Sequence, residues 1–249
     1  MTDPFSPRVA LASLSGEADA AWARRGAAYA GAAFLGGIAL DEPSREAARA
    51  LVARDRNEFL PAAPVEWIDE QLRSLAAVDV RAGVNVRATA PEPVADAARV
   101  CREHDAILEV NAHCRQDELC AVGCGERLLA DTDRLREYVA AASATGATVS
   151  VKVRAGVDGV DLPATARAVV DAGADVLHVD AMDAEPVVAS VVDAAPSLFV
   201  VANNEVRDRD SVREYLAYGA DAVSVGRPST DPVVLERVAD AVAAVHASR

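Results

Sequence analysis

Lysine is almost missing from this chain: of its 25 Lys and Arg residues one is a lysine, Lys152, and the other 24 are arginines. Positive charge is scarce overall, with a formal net charge of -14 and a pI near 4.7. That balance argues against a free-standing electrostatic nucleic-acid binder, which carries a basic face, although it leaves local basic patches open. It also fits a protein kept soluble in concentrated salt, where charge steering is screened within about 3 Å at 1 M. Long apolar runs are absent, which excludes a bilayer-spanning helix. The opening Met1-Thr-Asp-Pro-Phe-Ser-Pro-Arg8 has no basic segment followed by an apolar stretch, so no secretory signal is expected. Cysteine is sparse too. Three of the four fall between Cys114 and Cys124, and they read as reduced thiols rather than a disulfide framework. A cytoplasmic location is the expectation.

What the chain does have is alternation. Short β-branched runs are expected as strands at Val9–Leu14, Ala33–Leu40, Ala82–Val86, Ala106–Asn111, Val149–Arg154, Val176–Asp180, Leu198–Asn203 and Ala222–Gly226. Between them lie helical patterns such as Pro64–Ala77, Pro91–His104, Asp131–Thr145, Leu162–Ala172, Asp208–Tyr218 and Pro232–His246, most of them opened by Asp, Thr or Pro. Eight strands with intervening helices imply an α/β fold, a single (β/α)8 TIM barrel over residues 1–249. The alternative, a doubly wound open sheet, lacks its glycine-rich fingerprint after the first strand. The related segments Ala172-Gly-Ala-Asp-Val176 and Tyr218-Gly-Ala-Asp-Ala222 mark equivalent helix-to-strand turns, each with a glycine suited to a left-handed cap.

In such a barrel function sits at the carboxyl ends of the strands, and there the unusual residues gather. Ser13-Leu-Ser-Gly16 closes the first strand, Asn85 and Arg87 the third, and Asn111-Ala-His-Cys114 the fourth. Lys152 and Arg154 lie on the fifth, His178 and Asp180 on the sixth, Asn203-Asn-Glu205 after the seventh and Gly226-Arg227 after the eighth. Lys152 is the sharpest signal. A compact ammonium does what a planar guanidinium cannot, and inside the apolar run Val149–Arg154 an unpaired cation would be costly; the competing reading is a stray surface lysine. Gly226-Arg227, followed by a helix start at Asp231-Pro232, suits a phosphate. Taken alone, it serves equally as a turn glycine and a surface charge. Cys114-x5-Cys120-x3-Cys124 matches no common ligand spacing, so no metal is expected. Cys101 reads as core, His104 and His246 as ordinary residues near helix ends, and Trp22 and Trp67 as packing.

These segments together resemble the dihydrouridine synthase family, FMN-dependent barrels that reduce uridine in tRNA, and within it the shorter archaeal-type members. Leu11–Asp19 is similar to the family's LAPMAGVTD, Glu109–Cys114 to DINMGC, and Val151–Arg154 to VKIR. Leu177-His178 is similar to the start of VHGR, Val201–Asn203 to IAN, and Gly219–Arg227 to GADGVMIGR. Val84–Pro93 is similar to VQ…GSDPE with Asn85 in place of Gln, and Gly125 and Leu128-Leu129 fall at the family's spacing. The resemblance implies an FMN site formed by Ser13, Leu14, Asn85, Lys152, His178, Asn203, Gly226 and Arg227. In it Lys152 faces the pyrimidine edge of the flavin, Asn85 and His178 contact the isoalloxazine, and Asn203, Gly226 and Arg227 hold the phosphate. It implies Cys114 as the proton donor to C5 of uracil while hydride reaches C6, Asn111 and Arg154 on the substrate side, and NADPH or NADH as the electron donor.

The sequence departs from the family at several points. Arg115 replaces the proline after the cysteine, His113 replaces the glycine before it, and Asp180 stands where the family has a basic residue. The chain also stops after the eighth helix, where fuller-length members continue into a helical tRNA-binding domain. Two other readings stay open: a flavoenzyme acting on a free pyrimidine or other small conjugated ring, and a flavin-free barrel that binds a phosphorylated metabolite.

Overall fold

The computed structural model describes residues 3–247; Met1, Thr2, Ser248 and Arg249, the ends of the expected 1–249 domain, lie outside the described residues. Eight parallel strands close into a barrel in chain order. They are β1 (Val9–Leu11), β2 (Ala32–Ala39), β3 (Arg81–Arg87), β4 (Ile107–Ala112), β5 (Thr148–Arg154), β6 (Val176–Asp180), β7 (Phe199–Asn203) and β8 (Ala222–Val225). β1 pairs with both β2 and β8, which closes the ring.

The expected strands are all present, with ends displaced by a few residues. The largest change is in β1, which stops at Leu11 rather than Leu14. The carbonyl of Leu14 accepts the amides of Glu17 and Ala18 at 3.1 and 2.9 Å, so the chain turns before it can continue the ladder. β8 gives up Gly226, whose carbonyl accepts from Ser229 and opens a 3-10 turn over Arg227–Thr230. Helices Ala20–Gly26, Glu42–Val52 and Val187–Ala194 complete the outer layer where sequence periodicity singled out none.

Alternation along each strand sorts the core into two parts. Outward residues such as Val84, Leu108, Val149, Val151, Leu177, Val200 and Val223 pack beneath the helices. Inward residues near the amino ends, including Ala32, Phe34, Ile107, Val176, Phe199 and Ala222, fill the barrel floor with Phe5. The turns at Gly173 and Gly219 have φ of +102° and +91°, as expected of left-handed caps. In each repeat the aspartate then ties down a neighbouring strand: Asp175 accepts the amide of Val149, and Asp221 that of Val200, both at 2.9 Å. Trp22 and Cys101 are buried in the core, and Trp67 packs against Phe59 with ring centroids 5.0 Å apart. His104 ends its helix hydrogen-bonded to Asp69 at 2.7 Å.

Candidate active site at the carboxyl ends of the strands

Two adjoining cavities occupy the carboxyl rim, of about 430 and 590 Å³. Ser13, Leu14, His113, Asp180, Asn204 and Arg227 line both. The first continues to Lys152, Asn203 and Gly226. The second continues to Arg87, Cys114, Arg115 and Arg154. Of the residues singled out in the sequence, the structure therefore brings Ser13, Leu14, Lys152, Asn203, Gly226 and Arg227 around one cavity, and Cys114 and Arg154 around its neighbour.

Asn85, Asn111 and His178 line neither cavity. They lie one level deeper, in a buried polar layer between the apolar floor and the rim. Its centre is Glu109, fully buried on β4. Asn85 Nδ2 donates to Glu109 Oε1 at 2.8 Å, Ser150 Oγ donates to Oε2 at 3.2 Å, and His178 Nδ1 lies 2.8 Å from Oε2. The chain continues both ways. On one side Asn111 Nδ2 donates to Asn85 Oδ1 at 2.8 Å, while Asn111 Oδ1 accepts the amides of His113 and Cys114. On the other, His178 Nε2 lies 2.7 Å from Ser224 Oγ, which donates to Asn203 Oδ1 at 3.0 Å. One hydrogen-bonded path thus links the Cys114 amide to the Asn203 side chain through the middle of the barrel. Gly37 permits it, since a Cβ there would stand 2.7 Å from Asn85 Oδ1.

Charge is unevenly satisfied at the rim. Arg87 and Glu58, both buried, pair at 2.7 Å, and Arg87 also bonds the Ser15 hydroxyl. Lys152 is buried on β5, yet its ammonium has no hydrogen bond or ion pair among the described residues. Burial pushes its pKa below the usual lysine value, against the pull of Glu109 and Asp180. Asp180 Oδ1 is buried without a partner. The cation at its register position, Arg154, is turned to Glu126 at 3.0 Å instead. His113 Nδ1 is buried and unpartnered as well. Burial first, then Lys152, His178, Arg87 and Arg154, hold that imidazole well below its usual pKa, so it is neutral at pH 7.

Cys114 sits on a loop pinned at both ends. Its amide donates to Asn111 Oδ1 at 3.1 Å, and its carbonyl accepts from Glu126 at 2.8 Å and from the Cys120 thiol at 3.5 Å. Gly125 allows this approach: with φ of +60°, a Cβ on it would lie 2.0 Å from the Cys114 carbonyl oxygen. Among the described residues, no group of three or more His, Cys, Asp or Glu could hold a metal ion. Nor is any helix among them long and apolar enough to cross a membrane.

The residues that sequence reasoning passed over are Glu109, Glu58, Ser150 and Ser224. A signal existed for Glu109: period-two alternation puts it between Ile107 and Asn111 on the inward face of an apolar strand, where a lone carboxylate needs partners.

Residues 81–246 match the dihydrouridine synthase (Dus) family. The chain belongs to that family. At family level it is a dihydrouridine synthase-like oxidoreductase. The matched stretch contains the buried polar layer from Asn85 to Ser224 and the rim from Arg87 to Arg227, while Ser13 and Leu14 precede it. Among curated sequences, the chain is 26% identical over 233 residues to the uncharacterized protein MJ0144 of Methanocaldococcus jannaschii, covering 88% of each. In overall shape it is similar to a putative lyase/mutase from Burkholderia cenocepacia, with a TM-score of 0.55, 21% identity, and coverage of 97% of this chain and 82% of that one. It is also similar to a chain of the tryptophan synthase complex of Pyrococcus furiosus, with a TM-score of 0.57, 14% identity, and coverage of 94% of each. At these identities the likenesses bear on the barrel alone.

Proposed function

We propose that this protein is an FMN-dependent reductase of a uracil-type ring, with uridine in tRNA as its substrate. Family membership supports the reaction class. The observation that carries the cofactor is the first cavity, which is lined both by a buried, unpaired ammonium and by Gly226-Arg227. A Cβ built on Gly226 would meet nothing within 4 Å, so there is room for a phosphate against the backbone beside the Arg227 guanidinium and the 3-10 turn that follows. These residues fit FMN: Arg227 and the Gly226 backbone take the phosphate, Lys152 faces the ring, and Ser13 and Leu14 wall the space between.

When bound, the flavin supplies hydride to the substrate ring. The residues supply the rest. Lys152, held in a site of low polarisability, stabilises negative charge opposite it more strongly than it would in water. Cys114, in the adjoining cavity, delivers a proton to the ring carbon next to the one that receives hydride. Its pinned backbone fixes where the thiol points. Asn111 and Asn85 keep that backbone in register with the buried layer, and Arg154, tied to Glu126, lines the substrate side.

Purified protein tests the cofactor: flavin absorbance that is absent on isolation and does not appear on FMN titration ends this reading. Total tRNA from a strain lacking the gene tests the substrate, since dihydrouridine should fall; an unchanged level with no second synthase present removes tRNA. Cys114→Ala should keep flavin bound and lose turnover by at least about 100-fold.

A further inference from the structure

Three polar side chains on consecutive strands line the first cavity, each with a hydrogen-bonding group left over: Lys152 on β5, Asp180 on β6 and Asn203 on β7. Lys152 has no partner within hydrogen-bonding or ion-pair distance among the described residues, and neither does the Asp180 carboxylate, whose Oδ1 is buried. Arg154, level with Asp180 in the ladder, is committed to Glu126. Asn203 is oriented from below. Ser224 donates to its Oδ1 at 3.0 Å while itself bonded to His178, which leaves Nδ2 as the free end. Asp180 and Asn203 are level with one another, and Lys152 is the diagonal neighbour of Asp180 on the same inward face.

Read around the barrel, the order is donor, acceptor, donor: an ammonium, a carboxylate that can only accept, and an amide N–H. Asp180 Oδ1 is buried without a partner, which is costly, so this arrangement persists most readily where a ligand completes it. A phosphate or ring carboxylate would satisfy Lys152 and Asn203 but be repelled by Asp180. A group reading acceptor, donor, acceptor satisfies all three.

We propose that Lys152, Asp180 and Asn203 form a recognition site for a cyclic imide edge, –C(=O)–NH–C(=O)–, in which Asp180 accepts the ring N–H and the two flanking donors take the carbonyl oxygens. That edge belongs both to the pyrimidine end of a flavin and to a uracil ring, and Asp180 and its neighbours lie where either could reach. The inference rests on the proposed reductase activity only for its choice of probes. It gives Asn203 a ring to hold, leaving the phosphate to Gly226 and Arg227. It also gives a role to Asp180, the residue by which this chain departs from its family's basic one.

Equilibrium binding to the full-length protein tests it in two arms, FMN against N3-methyl-FMN and uridine against N3-methyluridine. Methylation removes the N–H and sets a methyl group against the carboxylate. In at least one arm wild-type protein should favour the unmethylated ring by about 10- to 100-fold, and the arm that discriminates identifies which ring is read. Asp180→Ser and Asp180→Ala, which remove a carboxylate with no protein partner to orphan, should bring that ratio to within about threefold. Asn203→Asp keeps the Ser224 bond but replaces the donor with an acceptor, and should weaken the unmethylated ligand. Equal binding in both arms, no binding in either, or a preference that survives at Asp180 would falsify the assignment. Protein that takes up no flavin yet prefers uridine to its N3-methyl form overturns the FMN reading and leaves the imide site standing; protein that binds FMN and N3-methyl-FMN alike, and uridine no better than its methyl form, does the reverse.

Discussion

His178 Nδ1 lies 2.8 Å from Glu109 Oε2, both side chains wholly shielded from solvent at the centre of the barrel. Ser224 Oγ lies 2.7 Å from His178 Nε2 and 3.0 Å from Asn203 Oδ1, bridging the two side chains. His178 is thereby clamped at both nitrogens, which removes it from direct contact with anything in the cavities. Its function is transmitted: it holds Ser224, and Ser224 sets the Asn203 amide.

Glu109 holds three neighbours at once, so its replacements separate side-chain shape from accepting capacity. Burial raises its carboxyl, but His178, Lys152 and the Asn85 bond outweigh this and hold it below the usual range. Glu109→Ala leaves Asn85, Ser150 and His178 without their acceptor, and should cost about 3–5 kcal/mol in urea unfolding. Glu109→Gln keeps the shape and one accepting oxygen, so it strands fewer donors and should lose less than Glu109→Ala. Equal losses would show that the full carboxylate, not the shape it shares with Gln, is what stabilises this layer.

Lys152 makes the opposite prediction. Its ammonium is worse off in the folded chain than in water, because burial outweighs the attraction of Glu109 and Asp180. Lys152→Met should therefore stabilise the protein by about 1–2 kcal/mol, with a higher urea midpoint at unchanged slope, while weakening any ligand that is negatively charged or carbonyl-bearing at this end. A destabilised variant would mean that the lysine is a structural cation after all.

Much of this site could be read along the chain. The strand ends carried Lys152, Cys114, Asn203 and Gly226-Arg227 to the rim because a period of two and a barrel closed in sequence order leave little freedom. His178 was placed on the correct face, but its depth was not readable: it depends on Ser224 reaching it from two strands away, 46 residues on in the chain. The Asp180 acid could be seen as a departure from the family, whereas its lack of a partner could not. That follows from Arg154 turning to Glu126, a contact over 28 residues from a four-residue helix that no spacing rule singles out. The end of β1 was misjudged because Ser13 and Leu14 suit a strand, and only the turn bonds to the Leu14 carbonyl end it.

Asp41 gives a pH dependence with a definite sign. It caps the helix Glu42–Val52 through the Ser44 amide and also accepts from the Thr89 amide and hydroxyl at 2.6 and 2.7 Å, joining the exits of β2 and β3. Burial raises its carboxyl, but the bonds from Ser44 and Thr89 prevail and keep its pKa below 3.8. A carboxylate held lower in the folded state stabilises it above the unfolded pKa and loses that contribution as pH falls through the folded one. Asp41→Ala should thus cost about 1–2 kcal/mol at pH 7, and the gap from wild type should narrow only as pH drops below about 4. A gap that stayed constant down to pH 2 would assign the loss to packing.

The cysteines should separate by reactivity. Burial pushes the Cys101 and Cys124 thiols up to about 12, so at pH 8 roughly one in 10⁴ of each is thiolate, the form that reacts. Burial, followed by Glu126 and Cys114, also raises Cys120, which donates to the Cys114 carbonyl. Of the four, Cys114 is the one that lines the rim cavities. Iodoacetamide on native protein at pH 8, followed by peptide mass spectrometry, should label Cys114 first, Cys120 more slowly, and Cys101 and Cys124 only after denaturation. A saturating ligand that fills the second cavity should slow the Cys114 adduct and leave Cys120 unchanged. Were Cys120 to react faster than Cys114, the thiol facing the cavity would be the wrong one, and the proton donor of the proposed reaction would have to be sought on the short helix Asp117–Ala121 instead.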